Sequence, residues 1–297
     1  MSFAVGVIAA LGSSCLWAWS STRFQPIVAK HGALACNMFK ATLGTAFFVV
    51  ALAILAGFTD VLHDLDARST WALVASGVIG MSLGDWAYFA TIQRLGVRQA
   101  TLLHGTAPLF LLGFDRFGEE ALGTGQIVGL ILVVLGVLGV TLRRAEGTTE
   151  RPARFRTGLM FGLLAALAQA LGVQIASEPA HACDPLTVST LRLGSASIGL
   201  FFLGAVGGRL RTMLSVFRDS ATRIRAIEPV FLGTFLGVLT MSIAMGATPP
   251  AVAGALMSTT PIFVIPMSWW LLGEPVRGST LFGTCVAALG VALISAA

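Results

Sequence analysis

Residues 79–84 read IGMSLG, and residues 232–237 read LGTFLG. The two hexapeptides stand 153 residues apart, and the same offset relates Pro108 to Pro261 and Phe110 to Phe263. Earlier in each half Lys40 aligns with Arg192 at an offset of 152; later GLILVVLGV (129–137) aligns with GTCVAALGV (283–291) at 154. Offsets this constant mark the chain as two copies of one unit, and that repeat decides the architecture.

The composition says where such a unit lives. Of 297 residues 56% are hydrophobic and 11% charged, with a mean hydropathy of +0.85, so the polar side chains are too few to cover a soluble globule. Ten apolar stretches recur, at 3–27, 33–56, 71–92, 97–114, 123–142, 157–176, 185–206, 229–247, 250–272 and 280–295. Most are long enough to cross about 30 Å of hydrocarbon at about 1.5 Å per residue. They are continuous rather than alternating, which predicts helices and not a barrel.

Each copy then holds five spans, an odd number, so the second copy must run through the membrane upside down. The basic residues agree. Of the 19 Lys and Arg, 15 lie in or beside the first, third, fifth, seventh and ninth loops, 2 (Arg68, Arg116) in the others, and 2 (Lys40, Arg192) within spans. Paired loops swap sides: one Arg lies between Gly57 and Thr70, and five lie between Gly207 and Glu228. By the positive-inside rule the basic connections 143–156 and 207–225 are cytoplasmic and both termini face outward.

The expected fold is therefore all-α and integral to the membrane: ten transmembrane helices as two inverted five-helix repeats around a central cavity. Residues 1–142 form the first repeat, 143–156 a cytoplasmic basic linker, and 157–297 the second repeat. An inverted repeat suits a transporter, because two similar halves can exchange conformations and open one site to either side in turn. The N-terminus lacks a basic leader and a small-residue cleavage site, which predicts a retained first span. Cys15, Cys36, Cys183 and Cys285 are dispersed and read as packing residues, with no metal or cofactor expected. The charge of +5 reflects topology and not nucleic acid.

In order along the chain come Trp17 in the first span, Lys40 and Arg192 in the second span of each copy, Pro108 and Pro261 in the fourth spans, and the GEP of residues 273–275. With the five-plus-five duplication this set resembles the EamA-like branch of the drug/metabolite transporter superfamily over essentially the whole chain. The corresponding turn of the first copy, GEE at 118–120, is less regular. The resemblance implies a carrier that moves amino acids, sugars, nucleosides or drugs, commonly outward, across a bacterial inner membrane. It also implies a cavity lined by spans one, three, four, six, eight and nine, with Gln169 and Met257 as adaptable lining residues. GLILVVLGV further resembles the pairing helix of the small multidrug resistance proteins. Gly129 and Gly136, and Gly283 and Gly290, stand seven apart on one helix face, so the fifth and tenth spans are expected to meet within a single chain, as a monomer.

Ionisable groups inside spans are costly and face partners or water. Lys40, Asp85 and His104 each lie seven residues from the cytoplasmic end of their spans, at a shared depth of roughly 10 Å. Asp85 with Lys40 or His104 can form a node that binds a substrate group or relays a proton; it can also be a structural ion pair. The mirror positions are Val238 and Met257, so the node is one-sided. Trp17 and Tyr88 are cavity candidates for stacking on a solute, Trp269 and Trp270 read as interfacial anchors, and Arg192 is expected to snorkel outward. Pro108, Pro261 and Pro266 are expected mid-helix, where a missing donor permits a bend. No HExxH or P-loop pattern occurs, so the expectation is a secondary carrier of a small-molecule substrate in lipid and not an enzyme or an ATP-driven pump. Asp85 keeps a multidrug or cationic-compound exporter open as the alternative.

Overall fold

The computed structural model describes residues 2–55, 66–115, 124, 125, 128, 129, 131–133, 135, 136, 152–248, 253, 256–276 and 278–296. Among these every regular element is helical, with no strand. Helix α1 spans Phe3–His31 and α2 Ala33–Leu55. Helix α3 runs over Ala67–Leu95, with a π-helical stretch, Gly77–Gly84, at its centre. The next span is broken into α4, Val97–His104, and α5, Ala107–Asp115. The described residues between 124 and 136 are helical. Helix α6 spans Pro152–Ala182 and α7 Pro185–Val206; the short α8, Leu210–Met213, and α9, Ser215–Arg218, follow. Helix α10 runs over Ser220–Ala247 with a π-helical stretch, Val230–Leu236. Helices α11, Thr260–Leu272, and α12, Gly278–Ala296, complete the described chain. Among the described residues six helices, α1, α2, α3, α6, α7 and α10, are long and apolar enough to cross a membrane.

Local chemistry sets the ends. Gly32 (φ +84°) and Gly96 (φ +86°) reverse the chain between α1 and α2 and between α3 and α4, a conformation that favours glycine. Asp66, Asp184 and Asp219 cap α3, α7 and α10 through side-chain hydrogen bonds to backbone N–H groups.

Several boundaries differ from those expected. Helix α6 reaches back to Pro152, inside the basic connection. Helix α10 begins at Ser220, nine residues before Pro229, because Asp219 supplies the cap. Pro108 and Pro261 do not sit mid-helix. Each lies in the first turn of a segment that restarts after a turn, at Gly105–Thr106 and at Ser258–Thr259, where its missing N–H costs nothing. Pro266 alone of the three lies inside a helix.

Without water to drive them together, helices in lipid associate by close packing at small residues. Around the π-helical stretches, α3 packs on α6 and α10 packs on α1. A Cβ on Gly80 would fall 3.4 Å from Gly172 Cα, and one on Gly233 would fall 2.1 Å from Ser20 Cβ. Gly80 and Gly233 stand 153 residues apart, and Ser20 and Gly172 stand 152 apart. Helix α2 packs on α7. A Cβ on Gly136 would lie 2.6 Å from the Gly283 carbonyl oxygen, and one on Gly290 would lie 2.6 Å from that of Gly129. These four glycines press two backbones together within one chain.

Candidate transport cavity

The helices enclose a cavity whose walls come from α1 (Ser13, Ser14, Trp17), α3 (Met81, Asp85), the α4–α5 break, α6 (Gln169, Val173), α10 (Val238, Met241) and residues 257–260. Both copies contribute to it. About 50 Å³ is open to the centres of water-sized molecules, which is room for a few waters. Most of its hydroxyls are satisfied within the protein. Ser13 donates to the Gly237 carbonyl (2.9 Å), Ser14 to those of Leu256 and Met257 (both 3.1 Å), and Thr101 to that of Val97 (2.9 Å). Gln169 and His104 line the cavity too.

Asp85 and Lys40 are each 3% exposed, and the Lys40 ammonium donates directly to the Asp85 carboxylate. Lys40 Nζ also lies 5.3 Å from the Trp17 ring centroid and 5.7 Å from that of Phe89, so the pair is braced by aromatic faces. Trp17 stacks on His104 at 6.2 Å, and Tyr88 meets both rings, at 5.9 Å from Trp17 and 5.1 Å from His104. Trp17, Asp85, His104, Gln169 and Met257 thus line the cavity, while Lys40 and Tyr88 stand behind Asp85 and Trp17 as their support. His104 is joined to the node by ring contacts.

Arg192 overturns the expectation of snorkelling. It is 0% exposed; its Nε donates to Ser76 Oγ at 2.9 Å, and its Nη1 lies 3.6 Å from Met245 Sδ. Nη2 has no hydrogen-bond partner among the described residues. The reason is the glycine at position 77: a Cβ there would fall 2.0 Å from the Arg192 carbonyl oxygen. Helix α7 therefore comes so close to α3 that the guanidinium is enclosed before it can reach the surface. Ser13, Ser14, Met81 and Met241 were not anticipated, since small and apolar residues carry no marker of cavity exposure.

At the end of the bundle that carries the basic loops, both copies are tied together. Gln25 Oε1 accepts from Val97 N–H at 2.7 Å, and its Nε2 donates to Glu274 at 3.2 Å. Arg98 donates to Ser268 Oγ (2.6 Å) and to the carbonyls of Pro275 (2.7 Å) and Glu274 (2.9 Å), with the Glu274 carboxylate 3.3 Å away. Arg98 stands one turn beyond Thr101 of the cavity wall, so this latch lies between cavity and basic end. Gly273 (φ +66°) ends α11 and turns the GEP segment into it. At the opposite end the described residues show one ion pair between the copies, Arg68 with Glu178 at 3.2 Å, both largely exposed. Among the described residues no group of His, Cys, Asp and Glu is arranged to hold a metal ion.

The sequence pattern of the EamA-like transporter family matches residues 4–142 and again residues 156–296. An uncharacterized transporter of Archaeoglobus fulgidus is 25% identical over 290 residues, which cover 97% of each chain. A solved crystal structure of a protein superposes with a TM-score of 0.70 at 15% identity, covering 99% of this chain and 96% of that one; a likeness of that degree speaks for the fold.

Proposed function

Because the chain belongs to the EamA-like transporter family, we propose that it is a secondary transporter or facilitator that exports amino acids or similar small metabolites across the inner membrane by alternating access. The observation that carries this reading is a cavity walled by corresponding helices of both copies, α1, α3 and α4 with α6, α10 and residues 257–260. Under it the ten spans form two inverted five-helix repeats, 1–142 and 157–297. The matched π-helical stretches, the matched helix breaks before Pro108 and Pro261, and the reciprocal glycine contacts support that symmetry.

In this conformation the cavity is small and the basic end is latched, so transport requires the two copies to exchange their arrangements. The basic end is cytoplasmic in this reading, and both termini are periplasmic. Asp85 presents a carboxylate to a solute's ammonium, held in place by Lys40, while Gln169 and His104 supply hydrogen bonds and Trp17 a flat apolar face. The glycine pairs of residues 129, 136, 283 and 290 serve a monomer. The same carboxylate beside Trp17 favours a second reading, an exporter of cationic compounds.

A counterflow screen in proteoliposomes tests the function: purified protein preloaded with one unlabelled amino acid should accumulate the labelled form transiently and saturably. Absence of counterflow across amino acids, with uptake of a cationic dye in its place, would move the assignment to the second reading.

A further inference from the structure

The basic end holds a second hollow, separate from the cavity. It lies between the α1–α2 turn, the last turns of α3, Phe161 of α6 and the segment leading into α8, and measures about 430 Å³ by the same measure. Its polar lining is unbalanced. Arg94 and Arg209 face it together with Gln93 and Thr212, and none of the described lining residues is acidic.

Arg94 is fixed from behind: its guanidinium lies 4.6 Å over the Phe161 ring, and its Nη1 donates to the Ala90 carbonyl at 2.9 Å. Among the described residues no carboxylate meets the other N–H groups of the fork. Arg209 enters from the opposite wall. Gly208 (φ +62°) ends α7 so that Arg209 N–H bonds the Gly204 carbonyl at 2.9 Å, which carries the side chain over the cleft. A neighbouring carboxylate, Asp219, is occupied by Lys30 at 2.5 Å and His31 at 3.2 Å. Met160, next to Phe161 in sequence, is exposed on α6. Two guanidiniums with no carboxylate partner among the described residues, at one end of a bundle of membrane-length helices, match a phosphate on an acyl chain: Arg forks pair with phosphate oxygens in two-pronged fashion, and basic hollows between helices suit lipid headgroups.

We propose that this cleft binds a phosphate-bearing anion, and that the anion is the headgroup of an anionic phospholipid whose chains lie along α6. Native mass spectrometry of the full chain in detergent, with phosphatidylglycerol or phosphatidylcholine added, tests it. The wild type should retain phosphatidylglycerol over phosphatidylcholine, and the double variant Arg94→Gln, Arg209→Gln should retain it about tenfold less. Arg225→Gln, an exposed basic site outside the cleft, should leave retention unchanged. Arg209→Gln alone, in an exposed turn, guards against misfolding and should lower retention in part with the melting temperature unchanged. Equal retention by wild type and double variant, or equal retention of the two lipids, overturns the proposal. Displacement of phosphatidylglycerol by millimolar inorganic phosphate would assign the cleft to a soluble phosphate and overturn the lipid assignment; no displacement supports it.

Discussion

Lys40 and Arg192 occupy equivalent places in the two copies and are both buried, yet among the described residues Lys40 is bonded to a carboxylate and Arg192 is not. Asp85 is the carboxylate that accepts from Lys40. Asp85→Asn should cost about 3 to 5 kcal/mol by leaving Lys40 uncompensated, seen as a lower melting temperature in detergent. The double variant Lys40→Met, Asp85→Leu should recover most of that loss while abolishing counterflow. Recovery of transport along with stability would reduce the pair to a structural role.

The latch gives a second prediction. Glu274→Gln removes the charge from the contacts to Arg98 and Gln25, a loss of about 1.5 to 3 kcal/mol. Backbone hydrogen exchange in the first turn of α4, where Val97 N–H bonds Gln25, should then speed up about tenfold or more. Unchanged exchange there would show that the latch does not hold the basic end shut.

The glycine contacts set a third. Gly290→Val places a side chain where a Cβ already falls 2.6 Å from the Gly129 carbonyl; backbone cannot give as a flexible side chain can, and overpacking of this kind costs about 1 to 3 kcal/mol or more. Gly12→Ala, inside α1 where a Cβ meets open space, should not lower melting. Equal melting of the two variants would contradict the packing described.

Acid sensitivity outside the membrane gives a fourth. The Asp219 carboxyl is held well below the usual carboxylate range, first by the hydrogen bond from Lys30 and then by those from Thr222. A depressed folded-state value stabilises the fold above the unfolded value of about 3.9 and loses that stabilisation as pH falls toward the folded one. Asp219→Asn should therefore lower the melting temperature at neutral pH, and the gap from wild type should close in strong acid. A gap that persists there would point to a different cause.

Much of this was legible in the sequence because hydropathy and offsets act locally. The α1–α2 and α3–α4 boundaries follow from apolar runs ended by Gly32 and Gly96, and the Lys40–Asp85 contact was one of the pairings that equal depth allowed. What escaped depends on neighbours. The break at Gly105–Thr106 falls within one mainly apolar stretch, 97–114, whose length fits a single span, so length and hydropathy do not mark it. The burial of Arg192 hangs on Gly77 in another helix, and the latch through Gln25 joins three segments far apart in sequence. The GEE turn at 118–120 lies outside the described residues.

One cavity reached in turn from both ends is the claim on which the rest depends. A Met257→Cys reporter, in a background lacking the four native cysteines, measures it through labelling by a membrane-impermeant maleimide applied to one side of oriented vesicles at a time. Labelling from either side, with the basic-side reaction abolished by a crosslink between Gln25→Cys and Glu274→Cys, is the result this account predicts. Labelling from one side only, with or without the crosslink, would contradict it.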